Sequence, residues 1–190
     1  NTKRLSEIPH TCAENELLIH AVSAKKIIDK YRDAAQPVVQ FWQLCQELIQ
    51  RSLFEGRSYH HKCLQFEKEK IILPNGMALK YPLLKGNADE KNRLQWAYGP
   101  DGKKLYGGKL TENIVQAVAR CVMTDGMLRI QTTYPCVLTV HDEVVCLVPE
   151  AEAEDAKTWV LAQMVMEPKY MPGIPLAAEI GFAKRYGDAK

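Results

Sequence analysis

Two apolar runs of five residues, Cys136-Val137-Leu138-Thr139-Val140 and Val144-Val145-Cys146-Leu147-Val148, flank the polar triplet His141-Asp142-Glu143, and this interruption leaves few folds open. Neighbouring residues in a strand point to opposite faces, so an Asp-Glu pair in mid-strand drives one carboxylate into the core at a cost of several kcal/mol. Placing the triplet at the tip of a tight hairpin removes the conflict and presents both acids at the end of a rigid, buried support. Such a tip offers hard oxygen ligands to one or two divalent cations. The competing reading is an ordinary polar turn, although turns prefer Asn-Gly or Asp-Gly and two adjacent acids repel each other without a cation.

Gly107-Gly108 opens a stretch with helical periodicity that runs to about Thr132 and is closed by Pro135. At 100° per residue, Lys109, Glu112, Asn113, Gln116 and Arg120 share one narrow stripe, and Leu110, Ile114, Val115, Val118, Val122 and Met123 cover the remaining apolar faces. The stripe is either a solvated edge or a contact surface. Asn and Gln exchange hydrogen bonds with base edges, and Lys and Arg contact phosphates.

Elsewhere, apolar residues recur at three- and four-residue steps from Glu14 to about Phe54, and Pro37 predicts two helices with a break near Ala35-Gln36. Gly56 ends the second helix. Pro74-Asn75-Gly76 and Pro100-Asp101-Gly102 are turn signals between short apolar pieces and predict two hairpins, with Lys85 to Arg93 between them as an exposed loop. Pro149, followed by Glu150, Glu152, Glu154 and Asp155, opens a further helix with acids at its positive end, and a last strand is expected near Leu176 to Ile180. The fold class that follows is α+β: helices first, then an antiparallel sheet centred on the acidic hairpin, with helices packed on one face.

The 190 residues, 46% hydrophobic and 25% charged, exclude disordered and fibrous classes. The net charge of +2 hides an asymmetry, since residues 1 to 110 carry +6 and residues 111 to 190 carry −4. A basic front half can track a polyanion and an acidic back half can hold cations; chance distribution over solvated faces is the alternative. No uncharged stretch approaches the roughly 20 apolar residues of a membrane span. Six scattered cysteines without a C-x-x-C pair read as free thiols of a reducing, cytoplasmic compartment. The start, Asn1-Thr2-Lys3-Arg4, has neither an initiator Met nor an apolar leader, and the chain reads as a piece of something longer.

The string Gly107-Gly108-Lys109-Leu110-Thr111-Glu112-Asn113-Ile114-Val115-Gln116-Ala117-Val118-Ala119-Arg120, followed by Val140-His141-Asp142-Glu143-Val144-Val145, resembles the C-terminal part of family A DNA polymerases, the relatives of bacterial DNA polymerase I, especially their phage and prophage members. Pro172-Gly173-Ile174-Pro175-Leu176-Ala177-Ala178-Glu179 and the stretch from Tyr31-Arg32 to Phe41-Trp42 are similar to the same group, so the likeness runs from about residue 20 to the end.

The resemblance implies template-directed transfer of deoxynucleotides to a primer 3′-hydroxyl by a two-metal mechanism with Mg²⁺. Asp142 matches a catalytic, metal-binding carboxylate, Glu143 is its acidic neighbour near the metals, and His141 lies by the primer terminus. Gln116 matches a glutamine that reaches the minor groove of the primer–template duplex, where acceptors are common to all correct pairs. Asn113 and Lys109 are further candidate DNA contacts on the same stripe, whereas Glu112 departs from the Asn that relatives often carry. Residues 1–95 then correspond to the late part of the fingers and 96–190 to the C-terminal half of the palm. Neither the first catalytic Asp strand nor the Arg/Lys/Tyr-Gly triphosphate helix of the family occurs in this sequence, so the isolated chain is expected to be inactive. Its implied partners are primer–template DNA, dNTP and the remainder of the polymerase chain, with no membrane. A non-catalytic nucleic-acid-binding remnant is the alternative function, and a metal-dependent nuclease is the weaker third.

Overall fold

A computed structural model describes residues 21–88 and 94–189. It contains four α-helices and three small antiparallel sheets among those residues. Helices α1 (Ala21–Ala34) and α2 (Gln36–Glu55) are separated at Ala35 alone, because Pro37 sits in the first turn of α2, where its missing N–H costs nothing. Gly56 closes α2 in the left-handed region (φ 64°), a conformation free of penalty only without a Cβ. The part of the expected first helix from Glu14 to residue 20 lies outside the described residues.

Four short strands follow, β1 (Tyr59–His61), β2 (Leu64–Glu67), β3 (Lys70–Ile72) and β4 (Ala78–Lys80), paired in sequence order. The Pro74-Asn75-Gly76 turn makes the β3–β4 hairpin as expected, with Gly76 at φ 81° and the Asn75 side chain accepting from the Met77 N–H at 3.0 Å. Next come β5 (Lys85–Ala88), β6 (Leu94–Tyr98) and β7 (Lys103–Leu105), with Tyr98 opposite Lys103 across the expected Pro100-Asp101-Gly102 turn. The segment read as a loop is corrected in part, because Lys85–Ala88 pairs with β6 as a strand. Its composition hid this: all four residues are exposed, so no apolar alternation marks them. Residues 89–93 of that loop lie outside the described residues.

Helix α3 (Gly107–Gln131) is the central element. One face carries Leu110, Ile114, Val118 and Cys121 into a core shared with Cys45, Leu48 and Ile49 of α2 and Phe66 and Ile71 of the first sheet. Each such aliphatic side chain removed from water contributes about 1.5–3 kcal/mol. The core therefore joins the helical front of the chain to its second half, and β6 runs through residues 95 and 96 without a break. The α2–α3 approach is very close: a Cβ on Gly107 would stand 2.2 Å from the Trp42 carbonyl oxygen. Gln46 of α2 accepts from the Gly107 N–H at 2.8 Å, satisfying one orphan donor of the α3 N-terminus. Buried Ser52 ties α2 to the first sheet, its hydroxyl 2.9 Å from the Ile49 carbonyl and 3.0 Å from that of Glu67.

On another face of α3, Gly126 admits Met164 of α4 (Ala153–Met164), and Arg129 donates to the Gln163 carbonyl at 2.7 Å. A 3-10 turn, Glu150–Glu152, precedes α4 as the Pro149 and acidic signals foretold. Between α3 and that turn lies the hairpin of β8 (Cys136–Val140) and β9 (Glu143–Cys146).

Two expectations fail here. Among the described residues the hairpin forms a sheet of its own instead of the centre of a larger one, and Leu176 to Ile180 is not a strand. That segment keeps the burial alternation of a strand, but a strand exists only by pairing, and among the described residues no edge accepts its hydrogen bonds. For the same reason the hairpin is not the buried support expected from its apolar runs. Val137, Leu138 and Leu147 are exposed to 54%, 47% and 59%, respectively.

Candidate functional site

The hairpin places the triplet where the charge argument puts it. Val140 pairs with Glu143, so His141 and Asp142 form a two-residue tip and Glu143 is the first residue of β9. All three side chains are exposed. His141 adopts φ 51°, a left-handed conformation that costs a non-glycine residue of order 1 kcal/mol and aims the tip.

Two side chains from elsewhere hold this tip. Arg120 of α3 donates to the His141 carbonyl at 3.2 Å and to the Thr139 hydroxyl at 3.3 Å, fastening the turn to the central helix. Tyr186, 43 residues along the chain, donates to the Glu143 carboxylate at 2.6 Å, and that carboxylate holds the phenol's pKa above its ordinary value. Glu143 is thus already engaged. Asp142 stands one residue away at the apex and has no hydrogen-bond or ion-pair partner among the described residues, so its carboxylate is available to an incoming cation. The described residues bring no group of three or more His, Cys, Asp or Glu side chains together. Since Mg²⁺ takes about six oxygens, Asp142 and Glu143 fit as contributors of ligands and not as a complete cage.

The polar stripe of α3 divides in three. Gln116 and Arg120 are exposed, Arg120 being committed to the hairpin. Lys109 and Glu112 form an exposed ion pair at 3.2 Å. Asn113 is half-buried and donates to the Tyr81 hydroxyl at 3.1 Å, a bond that competes with any outside partner. Among the described residues the geometry therefore leaves Gln116 as the stripe's amide without a partner and fastens Arg120 to the acidic tip, while Asn113 and Lys109 are held by Tyr81 and Glu112.

Val115, expected on a buried face, is 55% exposed. It borders an apolar groove of about 780 Å³ together with Phe41, Leu44, Val118, Val122 and Met171. The periodicity of α3 placed it among apolar residues, but none of the described residues packs over that part of the helix.

The Tyr186 contact carries no signal in the sequence, and neither does the 2.8 Å hydrogen bond from Tyr170 to Asp125; burial, and then this bond, drive the Tyr170 phenol far above its usual pKa. Arg120 was visible as part of the stripe, but its target was not. Among the described residues, no helix is long and apolar enough to cross a membrane.

Fold and site together define an α+β chain built around one central helix, which carries an exposed amide and fastens an acidic hairpin tip. Its sequence is 31% identical over 176 residues to the DNA polymerase of Bacillus phage SP02, an alignment that covers 85% of this chain and 26% of that protein. The chain is thus related to a phage DNA polymerase and spans about a quarter of that relative's length. No family model matches it, and no solved structure does.

Proposed function

We propose that the chain is the C-terminal part of a DNA-directed DNA polymerase of family A, of the phage type, with residues 1–95 the late fingers and 96–190 the C-terminal half of the palm. The observation that carries this reading is the similarity to the phage SP02 polymerase, which extends over most of the chain. The hairpin is compatible with it, because Asp142 is exposed, unpartnered among the described residues and fixed at the end of a clamped turn.

In this reading Asp142, with Glu143 beside it, would hold Mg²⁺ jointly with carboxylates from the remainder of the polymerase, and Mg²⁺ bound there would lower the pKa of the primer 3′-hydroxyl and neutralise charge on the triphosphate. The chain's own residues position and bind. Arg120 fixes the direction of the tip, His141 borders the primer terminus, and Gln116 donates to minor-groove acceptors of the primer–template duplex. Lys109 and Asn113 are secondary DNA contacts that must give up Glu112 and Tyr81 to act. The exposed Val137, Leu138 and Leu147 form the apolar surface against which the remainder of the polymerase packs.

Primer extension with Mg²⁺ tests the reading at two levels. The 190-residue chain alone should extend nothing, and extension by it would overturn the claim that its site is incomplete. In a polypeptide joining this chain to the upstream remainder, Asp142→Asn should abolish nucleotide addition while primer–template binding, followed by fluorescence anisotropy, persists. Retained turnover would remove Asp142 from the site, and DNA binding by the joined polypeptide without any extension would favour a non-catalytic remnant.

A further inference from the structure

At the other end of the hairpin, Cys136 and Cys146 are directly opposite each other on β8 and β9. Directly opposed residues of an antiparallel pair carry their side chains on the same face, so both thiols point the same way. The hydrogen bonds around the pair show which kind it is. The Leu147 N–H donates to the Pro135 carbonyl at 3.0 Å, so the ladder bond lies between the residues flanking the cysteines, not between the cysteines themselves. The Cys136 N–H points away from β9 and donates to the Gln131 side chain at 2.6 Å. Cys136 and Cys146 therefore form a non-hydrogen-bonded pair, the closer of the two kinds, for which Cα atoms typically lie about 4.5 Å apart. That distance falls within the range of about 4.4–6.8 Å that a disulfide spans. An extra residue, Val137, bulges out of β8 immediately beyond the pair, adding local twist and backbone freedom where a crosslink must settle.

We propose that Cys136 and Cys146 are a disulfide-forming pair that closes the base of the acidic hairpin by exchange with a small-molecule disulfide such as oxidised glutathione. One cysteine loses its proton to solvent, and its thiolate attacks a glutathione sulfur. The glutathione S–S bond breaks, one glutathione leaves as thiolate, and a mixed disulfide remains on the protein. The second cysteine, deprotonated in turn, attacks the protein sulfur of that mixed disulfide, forms the Cys136–Cys146 bond and expels the second glutathione. Two protein thiols are oxidised and one glutathione disulfide is reduced to two thiols. Both cysteines are half-buried, and all five cysteines among the described residues are free thiols. Burial raises the pKa of each member of the pair, and the nearness of Cys146 raises that of Cys136 further. The exchange is accordingly slow at neutral pH and accelerates as pH rises toward the thiol range. The proposal is independent of the polymerase reading, since it concerns the stem of the hairpin and not its chemistry.

The test is to incubate the full chain with oxidised glutathione at pH 8.5, block the remaining thiols, and digest with trypsin without reduction. The fragment Ile130–Lys157 contains Cys136 and Cys146 and no other cysteine, so the assignment is unambiguous. The expected result is that this fragment loses two hydrogens in mass and escapes alkylation, while in Cys136→Ser the same fragment instead retains a glutathione on Cys146. Alkylation of both cysteines, or a glutathione adduct on the wild-type fragment that never resolves, would overturn the proposal. A bridge from either cysteine to Cys63, Cys121 or a second chain would overturn it as well.

Discussion

Replacing Gly107 by alanine sets two effects against each other. Alanine is the better helix former by about 1 kcal/mol, so propensity alone makes Gly107→Ala stabilising. The tertiary structure says otherwise. The new Cβ would lie 2.2 Å from the Trp42 carbonyl oxygen and 2.8 Å from its carbon, both rigid backbone atoms of α2, where ordinary contact begins near 3.4 Å. Helices α2 and α3 must separate by about 1 Å, and overpacking of that kind costs about 1–3 kcal/mol. The same movement strains the bond from the Gly107 N–H to Gln46, worth about 1 kcal/mol. Subtracting the propensity gain leaves a net loss of about 1–3 kcal/mol. With a urea slope of about 2 kcal/mol/M, the unfolding midpoint should fall by about 0.5–1.5 M at unchanged slope. Gly108→Ala is the matched control, because its Cβ would come no nearer than 3.4 Å to the Tyr106 ring and 3.8 Å to the Trp42 ring, ordinary contacts. It should be neutral or stabilising by up to about 1 kcal/mol. A Gly107→Ala protein as stable as Gly108→Ala would refute the reasoning, since it would mean the two helices do not approach as described.

Arg120→Met keeps most of the stem and removes both bonds to the hairpin; because the contacts are exposed and long, global stability should fall by no more than about 1 kcal/mol, while amide exchange in residues 139–144 accelerates about fivefold. Unchanged exchange there would show that α3 does not hold the tip. Cys45, fully buried, has its thiol pushed up to about 11 by burial. The folded form binds that proton more tightly than the unfolded chain, so its contribution to stability is fully present below pH 9 and is lost as pH rises toward 11. Tyr81, also raised mainly by burial, acts in the same direction above pH 10. Urea midpoints should therefore decline from pH 9 upward, and Cys45→Ala should decline less steeply; equal slopes would remove Cys45 from the effect.

Much of the local structure was legible because its causes are local. Pro37 and Gly56 bound α2, Pro74-Asn75-Gly76 turns β3 into β4, and His141-Asp142 had to be a tip because Asp and Glu cannot both point outward in mid-strand. Each of these rests on contacts within a few residues along the chain, where backbone sterics and side-chain alternation act without knowledge of the fold. Strand Lys85–Ala88 escaped because an exposed edge needs no apolar alternation. Leu176 to Ile180 was overread for the opposite reason, since it has the alternation but no pairing edge among the described residues.

Which groups serve the acidic tip is a different kind of question. The residues that fasten it lie 21 and 43 positions away, at Arg120 and Tyr186, and the seat of the central helix depends on Gln46, 61 positions from Gly107. No periodicity encodes such pairs, because they arise only when separate elements pack. Tertiary structure likewise decided that Asn113 is spent on Tyr81, that Gln116 is not, and that the apolar flanks of the hairpin remain open to solvent. By itself the sequence determined that Asp142 would stand at a turn between two apolar strands; how firmly that carboxylate is aimed, and what shares the face with it, depended on the packing of α3 and the chain's last residues against the hairpin.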